Sequence, residues 1–243
     1  VDLRVFRHTG FTISVLTLGI GYGAFFAGVV VVPQWLQTSL GYSATQAGTV
    51  AALHAYAAFI TAPLVARLMD RGVDPRLLVS IGMGWMGVTA LLRASWTSGG
   101  DFWSYGIPMM LQGVGVSLMA IPLTTMSLTS VRPEETASAA GLQSFVRTIA
   151  MAMATSLSLT VWSNAQSTAH SEIVERLQSG SAEVSLADAG LSIDQVRRVI
   201  AALVEKEAVT LAVDHVFLLA AVMLFISSAL IHLAPKPRSP GSH

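Results

Sequence analysis

Gln112 to Asn164 reads QGVGVSLMAIPLTTMSLTS, then VRPEETASAAG, then LQSFVRTIAMAMATSLSLTVWSN. Two apolar runs, each long enough as helix to cross a hydrocarbon core of ~30 Å, flank a short polar turn. That turn carries Arg132, Glu134 and Glu135. Inside the second run stands one lone charge, Arg147. A charge at bilayer depth costs several kcal/mol unless it is solvated or paired. Paired membrane helices, a tight charged turn and an isolated intramembrane Arg are features of a polytopic transporter.

Working outward, the composition agrees. The chain of 243 residues is 53 % hydrophobic and only 12 % charged, with mean hydropathy +0.62. Soluble domains carry about 25 % charged residues. Basic residues are scattered and net charge is zero, which argues against nucleic acid as a partner. Without cysteine there is no disulfide, no Cys-ligated zinc and no thiol nucleophile. The start, Val1-Asp2-Leu3-Arg4-Val5-Phe6-Arg7, has no initiator Met and no signal-peptide pattern; it reads as a start inside a longer polypeptide.

The pattern predicts an all-α membrane protein: one domain over 1–243 with six transmembrane helices at about 11–37, 44–67, 77–96, 102–128, 138–163 and 211–233. Pro33, Pro63, Pro108 and Pro122 fall inside these runs and are expected to kink them. Gly82, Gly84 and Gly87 are expected to let helix backbones approach closely. Six spans put both termini on one side. Arg4, Arg7, Arg71, Arg76, Arg132, Lys236 and Arg238 fall at the termini and in the loops of that side, so the positive-inside rule makes it cytoplasmic.

An outer loop is expected at about 165–208, bearing an amphipathic helix. Ser192-Ile193-Asp194-Gln195 has the form of a capping box, with Leu191 and Val196 as a staple. Val196, Val199, Ile200 and Leu203 follow at helical spacing. Such a helix either lies on the outer ends of the bundle or forms a docking surface for a partner.

Several stretches in order carry a family resemblance: VDLRVFRHTGFTI, VPQWLQTSLGYSATQAG, DPRLLVSIG, IPLTTMSLTSVRPEETASAAGLQSFVRTIA, VWSNAQSTAH, GLSIDQVRRVIAAL and LAPKP. Together they resemble the carboxyl-terminal half of an EmrB/QacA-type major facilitator drug:proton antiporter, EmrB subgroup. The resemblance implies a fourteen-helix parent with two six-helix bundles, this chain forming the C-terminal one in the bacterial inner membrane. The implied activity is multidrug efflux by alternating access, a contribution to drug resistance, with hydrophobic drug-like substrates and protons as ligands and no cofactor. Partners implied are the N-terminal half of the same transporter and the lipid bilayer; a periplasmic adaptor and outer-membrane channel are further partners the subgroup admits. The family is Gly-rich after the fifth helix's Arg, whereas here Thr148 to Met153 contains no Gly.

His54, about ten residues or ~15 Å into the second helix, is a candidate proton carrier or a hydrogen-bonded cavity residue. Arg147 complements an anion or a carboxylate of the other half, or else ties helices together or snorkels. Gln34, Gln112, Gln143, Tyr22, Tyr56 and Trp85 are candidates to face an apolar cavity; Met109, Met110, Met119, Met126, Met151 and Met153 add deformable surface or plain core. Asp70 and Arg71 read as a conformational latch or turn. Arg93 reads as an interfacial anchor or a local ion pair with Asp101. Asp214, beside His215, reads as a cap at the start of the last helix. No catalytic residue, metal ligand or nucleotide loop is indicated, since H-E-x-x-H, G-x-S-x-G and G-x-x-x-x-G-K-[ST] are all missing. The competing class is a non-transporting membrane module that recruits a partner through its outer loop.

Overall fold

In lipid no water satisfies an open backbone, so a spanning chain must close its hydrogen bonds within helices or a closed barrel. In the computed structural model this chain takes the first course. The structure describes residues 3–97, 99–178 and 193–234, without side chains at several positions between 165 and 208. Among the described residues six α-helices follow one another: α1 (Thr9–Leu40), α2 (Ala44–Asp70), α3 (Pro75–Arg93), α4 (Phe102–Thr129), α5 (Thr136–Gln178) and α6 (Ile193–Leu230). Each contains a run long and apolar enough to cross a membrane.

Local chemistry sets the boundaries. Ser43 caps α2 with a reciprocal capping box to Gln46. Asp74 caps α3, accepting from Arg76 N at 3.0 Å, with Pro75 at the first helical position. Asp101 caps α4. The hydroxyl and backbone N–H of Ser104 both donate to the Asp101 carboxylate and hold it below its ordinary pKa. The third helix stops at Arg93 rather than about Trp96: after the last i→i−4 bond, Ala94 N to Ala90 O, the chain tightens and Trp96 N donates to Arg93 O at 3.1 Å.

The largest departure is at the outer loop. The segment 165–208 is helical at both ends: α5 continues to Gln178, and the helix expected from about Ile193 is present but runs without a break into the last span as α6. Both spans therefore run on as helix beyond the apolar segments Pro133–Asn164 and Val209–Leu233. Uninterrupted helix satisfies the backbone on both sides of the apolar boundary, so nothing forces a break there. The expected cap at Ser192, with Leu191, lies outside the described residues.

Packing follows a repeated scheme. The main pairings are α2 with α4, α3 with α4, α1 with α5, α1 with α6 and α3 with α6. Exchanging α1–α3 for α4–α6 turns the α2–α4 pair into α5–α1 and the α3–α4 pair into α6–α1. The α2–α4 contact is backbone-close: a Cβ on Gly113 would overlap the carbonyl oxygen of His54 and come within 2.9 Å of Ala57 Cβ. On the α1–α5 side the tighter place is Gly19, whose added Cβ would meet Val146 Cγ1 at 3.2 Å, while at Gly23 it would meet Ala150 O and Ala154 Cβ at the ordinary contact distances of 3.4 and 3.7 Å. The Gly-free stretch of α5 is thus accommodated by glycine on α1 and alanine on α5.

The bundle buries three side-chain clusters. Leu18, Met83, Met119, Leu123 and Leu224 form its middle. Val5, Phe11, Val15 and Leu142 close the end carrying the termini. At the opposite end, Trp35 stacks on Trp96 at 5.7 Å, and Tyr105 meets both edge-on. Aromatic rings with a polar tip suit this level: Trp35 Nε1–H donates to Thr210 at 3.1 Å, and Tyr105 O–H to Thr97 O at 2.8 Å.

The Gly113 contact predicts a graded response in the solubilised protein. Gly113→Ala is expected to cost about 1–3 kcal/mol or more through overpacking, and Gly113→Val to abolish monodisperse protein. Gly48→Ala, where an added Cβ meets nothing within 4 Å, should gain about 0.5–1 kcal/mol. Thermal unfolding followed by size-exclusion chromatography checks the set; equal tolerance at both glycines would refute the close contact.

Candidate functional site

α1, α4 and α5 together present a polar face. On α5, Gln143, Ser144 and Arg147 share one side by their i, i+3 and i+4 spacing. Arg147 lies half-buried with its guanidinium carbon 5.5 Å from the ring centre of Tyr22 on α1, a cation–π contact. Its Nη2 reaches the neutral hydroxyl of Ser144 at 3.5 Å. Nε is buried and has no hydrogen-bond partner among the described residues. Gln143 donates to the hydroxyl of Thr124 at 3.2 Å, and Thr124 is exposed on α4. The Arg147 guanidinium is thus held by an aromatic face and a neutral hydroxyl, with its buried Nε unpartnered among the described residues.

His54 sits apart from this cluster, on α2. It is half-buried and meets the Phe25 ring edge-on at 5.1 Å, and its Nδ1 has no hydrogen-bond partner among the described residues. One helix away, Gln112 is 1 % exposed with Oε1 equally unpartnered. These two belong to the α2–α4 contact, since Gln112 precedes Gly113. Gln34 is half-buried, and its carbonyl accepts from Thr38 at 2.9 Å. Tyr56 stands 65 % exposed on the outer surface of α2. Trp85 turns its indole N–H onto Leu111 O at 2.7 Å. Met109, Met119 and Met126 are core, whereas Met110 and Met153 are exposed.

Two expectations are corrected. Arg93 is neither an interfacial anchor nor a partner of Asp101, which is engaged by Ser104. It is 1 % exposed, donates through Nε to Thr89 O at 3.3 Å and through Nη1 to Met109 Sδ at 3.8 Å, and lies 4.5 Å from the centre of Phe217. Gly28 makes room for it: a Cβ there would come within 2.9 Å of Nη1. The cation is therefore wrapped by α1, α3, α4 and α6. Its spacing from Met86, Thr89 and Ala90, which are all buried, is that of one inward helix face, and this was the signal available in the sequence. Asp214 is no helix cap, because α6 begins 21 residues earlier, at Ile193.

At the end carrying the termini, Asp70 and Arg71 are exposed and close α2, with Arg71 N donating to Arg67 O at 3.1 Å. The ties between segments are made by other residues. Arg76 pairs with Asp74 at 3.1 Å and donates to Ala234 O at 2.8 Å, joining α3 to the end of α6. His8 meets Glu135 at 2.9 Å, joining the start of α1 to the α4–α5 turn. The Asp-Pro-Arg motif at 74–76 foreshadowed the first; no local pattern marks the second.

A lateral cavity of about 500 Å³ lies between α1, α5 and α6. None of His54, Arg147, Gln34, Gln112, Tyr22 and Tyr56 lines it; its walls are apolar apart from Ser158 and His215. No cluster of residues suited to hold a metal ion occurs among the described residues.

The sequence pattern of the Major Facilitator Superfamily matches residues 2–161. The multidrug export protein EmrB of Escherichia coli (strain K12) is 29 % identical over 247 residues, covering 99 % of this chain and 48 % of that protein. The fatty acid resistance protein FarB of Neisseria gonorrhoeae is 26 % identical over 246 residues, covering 99 % and 48 %. The chain thus spans about half the length of these relatives. Among solved structures, a bacterial homolog of the human lysosomal transporter Spinster, inward-facing and occupied, superposes with TM-score 0.65 at 14 % identity over 96 % of this chain and 51 % of the other. At that identity the likeness concerns the fold alone.

Arg93 generates a prediction that separates charge from volume. Replacing a buried charge by an apolar side chain of similar size is neutral or stabilising by about 1–4 kcal/mol, so Arg93→Met should match or exceed the parent in thermal unfolding. Arg93→Ala leaves a void and should lose about 2–5 kcal/mol. Unfolding of both variants alike would show that the charge itself holds the four helices.

Proposed function

The chain belongs to the Major Facilitator Superfamily, and we propose that it is the C-terminal half of a proton-coupled multidrug efflux transporter that exports hydrophobic or amphiphilic compounds by alternating access. The observation that carries this reading is Arg147 over Tyr22, a lone cation half-buried on the polar face of a six-span bundle, with its Nε unpartnered among the described residues. A polar wall of this kind suits a midplane cavity closed by a second bundle. Relatives named for multidrug export and for fatty acid resistance, each about twice this chain's length, support both the cargo and the missing half.

In this reading Tyr22, Thr124, Gln143 and Arg147 form one wall of the cavity, and the N-terminal half of the same polypeptide forms the other. The chain resides in the bacterial inner membrane with both termini cytoplasmic. The basic residues Arg71, Arg76 and Arg132 of the loops on the terminal side support that orientation. The helical extensions of α5 and α6 then reach into the periplasm, where an adaptor leading to an outer-membrane channel is the partner proposed. Arg147 holds an anionic group of the cargo or a carboxylate of the other half. The principal proton carrier lies in the other half, with His54 the secondary candidate.

Topology gives one test. In this cysteine-free chain, Ser171→Cys, exposed on the α5 extension, should label from outside intact cells, and Glu134→Cys only after permeabilisation. Labelling of both from the same side would remove the six-span arrangement.

Transport gives another. In the complete transporter, Arg147→Ala should lower dye efflux about tenfold at unchanged expression, with Lys restoring little because it lacks the planar, stacking fork. This chain alone should produce no efflux under an imposed pH gradient, and co-expression with the N-terminal half should restore it. Efflux by the chain alone would overturn the half-transporter reading, and full activity of Arg147→Ala would remove Arg147 from the wall.

A further inference from the structure

The cavity between α1, α5 and α6 is a slot built at bilayer depth. Every residue lining it falls inside the apolar spans of α1, α5 and α6. Its floor is made of small side chains, Gly19, Gly23, Ala24, Ala27 and Ala220, of which Ala24, Ala27 and Ala220 are 6–8 % exposed. Its rims are large and open: Met153 is 59 % exposed, Leu157 63 % and Leu219 62 %. The slot therefore opens sideways from the bundle.

Its dimensions are those of a lipid tail. From Leu16 to Ala27 the floor on α1 runs about 16 Å, and from Val146 to Val161 the α5 wall runs about 22 Å. One leaflet of hydrocarbon is about 15 Å thick. The two polar lining residues, Ser158 and His215, both sit at the end away from the chain termini, because α5 approaches that end and α6 leaves it. The fold does not oblige this space to exist. At the corresponding place on α4, Trp85 from α3 covers the helix and bonds Leu111 O, and α2 lies in backbone contact at Gly113.

We propose that this slot is a resident-lipid site. It holds one acyl chain of a phospholipid from the leaflet opposite the termini, its polar end beside His215 and Ser158 and its tail along the glycine and alanine floor of α1. At this depth the surroundings of an outward-facing slot are acyl chains, and an unfilled one would forfeit dispersion contacts along its whole lining. The inference stands on the six membrane spans and not on the transport reading, so either can fail without the other.

The test uses the full-length polypeptide in nanodiscs of phosphatidylethanolamine and phosphatidylglycerol, doped with a phosphatidylethanolamine that bears a diazirine in its acyl chain. After irradiation, label should concentrate on peptides covering 146–161 and 215–223, above that on the exposed α3 face at Ile81, Val88 and Leu92. Ala154→Phe, which fills the slot, and Met153→Trp, which blocks its mouth without entering the bundle, should each lower that label about tenfold, the factor that about two displaced methylenes give. Label spread evenly over both faces, or unchanged in a folded Met153→Trp protein, would overturn the proposal. So would a Leu157→Cys variant that cross-links to a second copy or to another part of the polypeptide, since protein and not lipid would then cover the slot.

Discussion

In a bilayer, burying apolar side chains does not by itself drive helices together, because lipid tails are as apolar as Leu. What holds this bundle is closeness of approach, and the contact of Gly113 with the backbone of His54 is its clearest instance. With no Cβ between them, α2 and α4 bring peptide groups into van der Waals contact along a stripe. The rest of α4 then sits where α3 can pack its Met83 and Met86 face against Met119 and Leu123. The α1–α5 pair is spaced more widely, with Gly19 and Gly23 facing Val146, Ala150 and Ala154. A bundle assembled this way tolerates little change in volume at its contacts but leaves its outer faces free.

The charges divide according to that packing. Arg93 is drawn into the crossing of four helices and surrounded by a ring, a sulfur and a backbone carbonyl. Arg147, two helices away, stays at the edge of the bundle with Tyr22 beneath it. Both are single cations in apolar helices, yet Arg93 is fully buried and Arg147 is half-buried. The buried one keeps the aromatic end of the bundle in register, because Phe217 touches both it and Trp96. At the other end, His8–Glu135 and Arg76–Ala234 O close the bundle with exposed or half-exposed polar contacts.

The sequence by itself determined the six spans, their order and most of their starts. Apolar runs of about 20 residues have few alternatives in a membrane, and the caps at Ser43, Asp74 and Asp101 are local chemistry written in adjacent residues. Arg147 was legible for the same reason, as a charge where charges are costly. Only the tertiary structure decided which helices wrap Arg93, that Asp214 lies within a long helix rather than at its cap, and that α5 and α6 run on past the apolar boundary. It alone brought His8 to Glu135, 127 residues apart, and left a slot beside α1 while closing the matching place beside α4. Hydropathy records how much each residue resists water but not which neighbour its side chain meets. That depends on helix rotation and approach, and these are set by pairs of residues far apart in the chain, as Gly113 and His54 are.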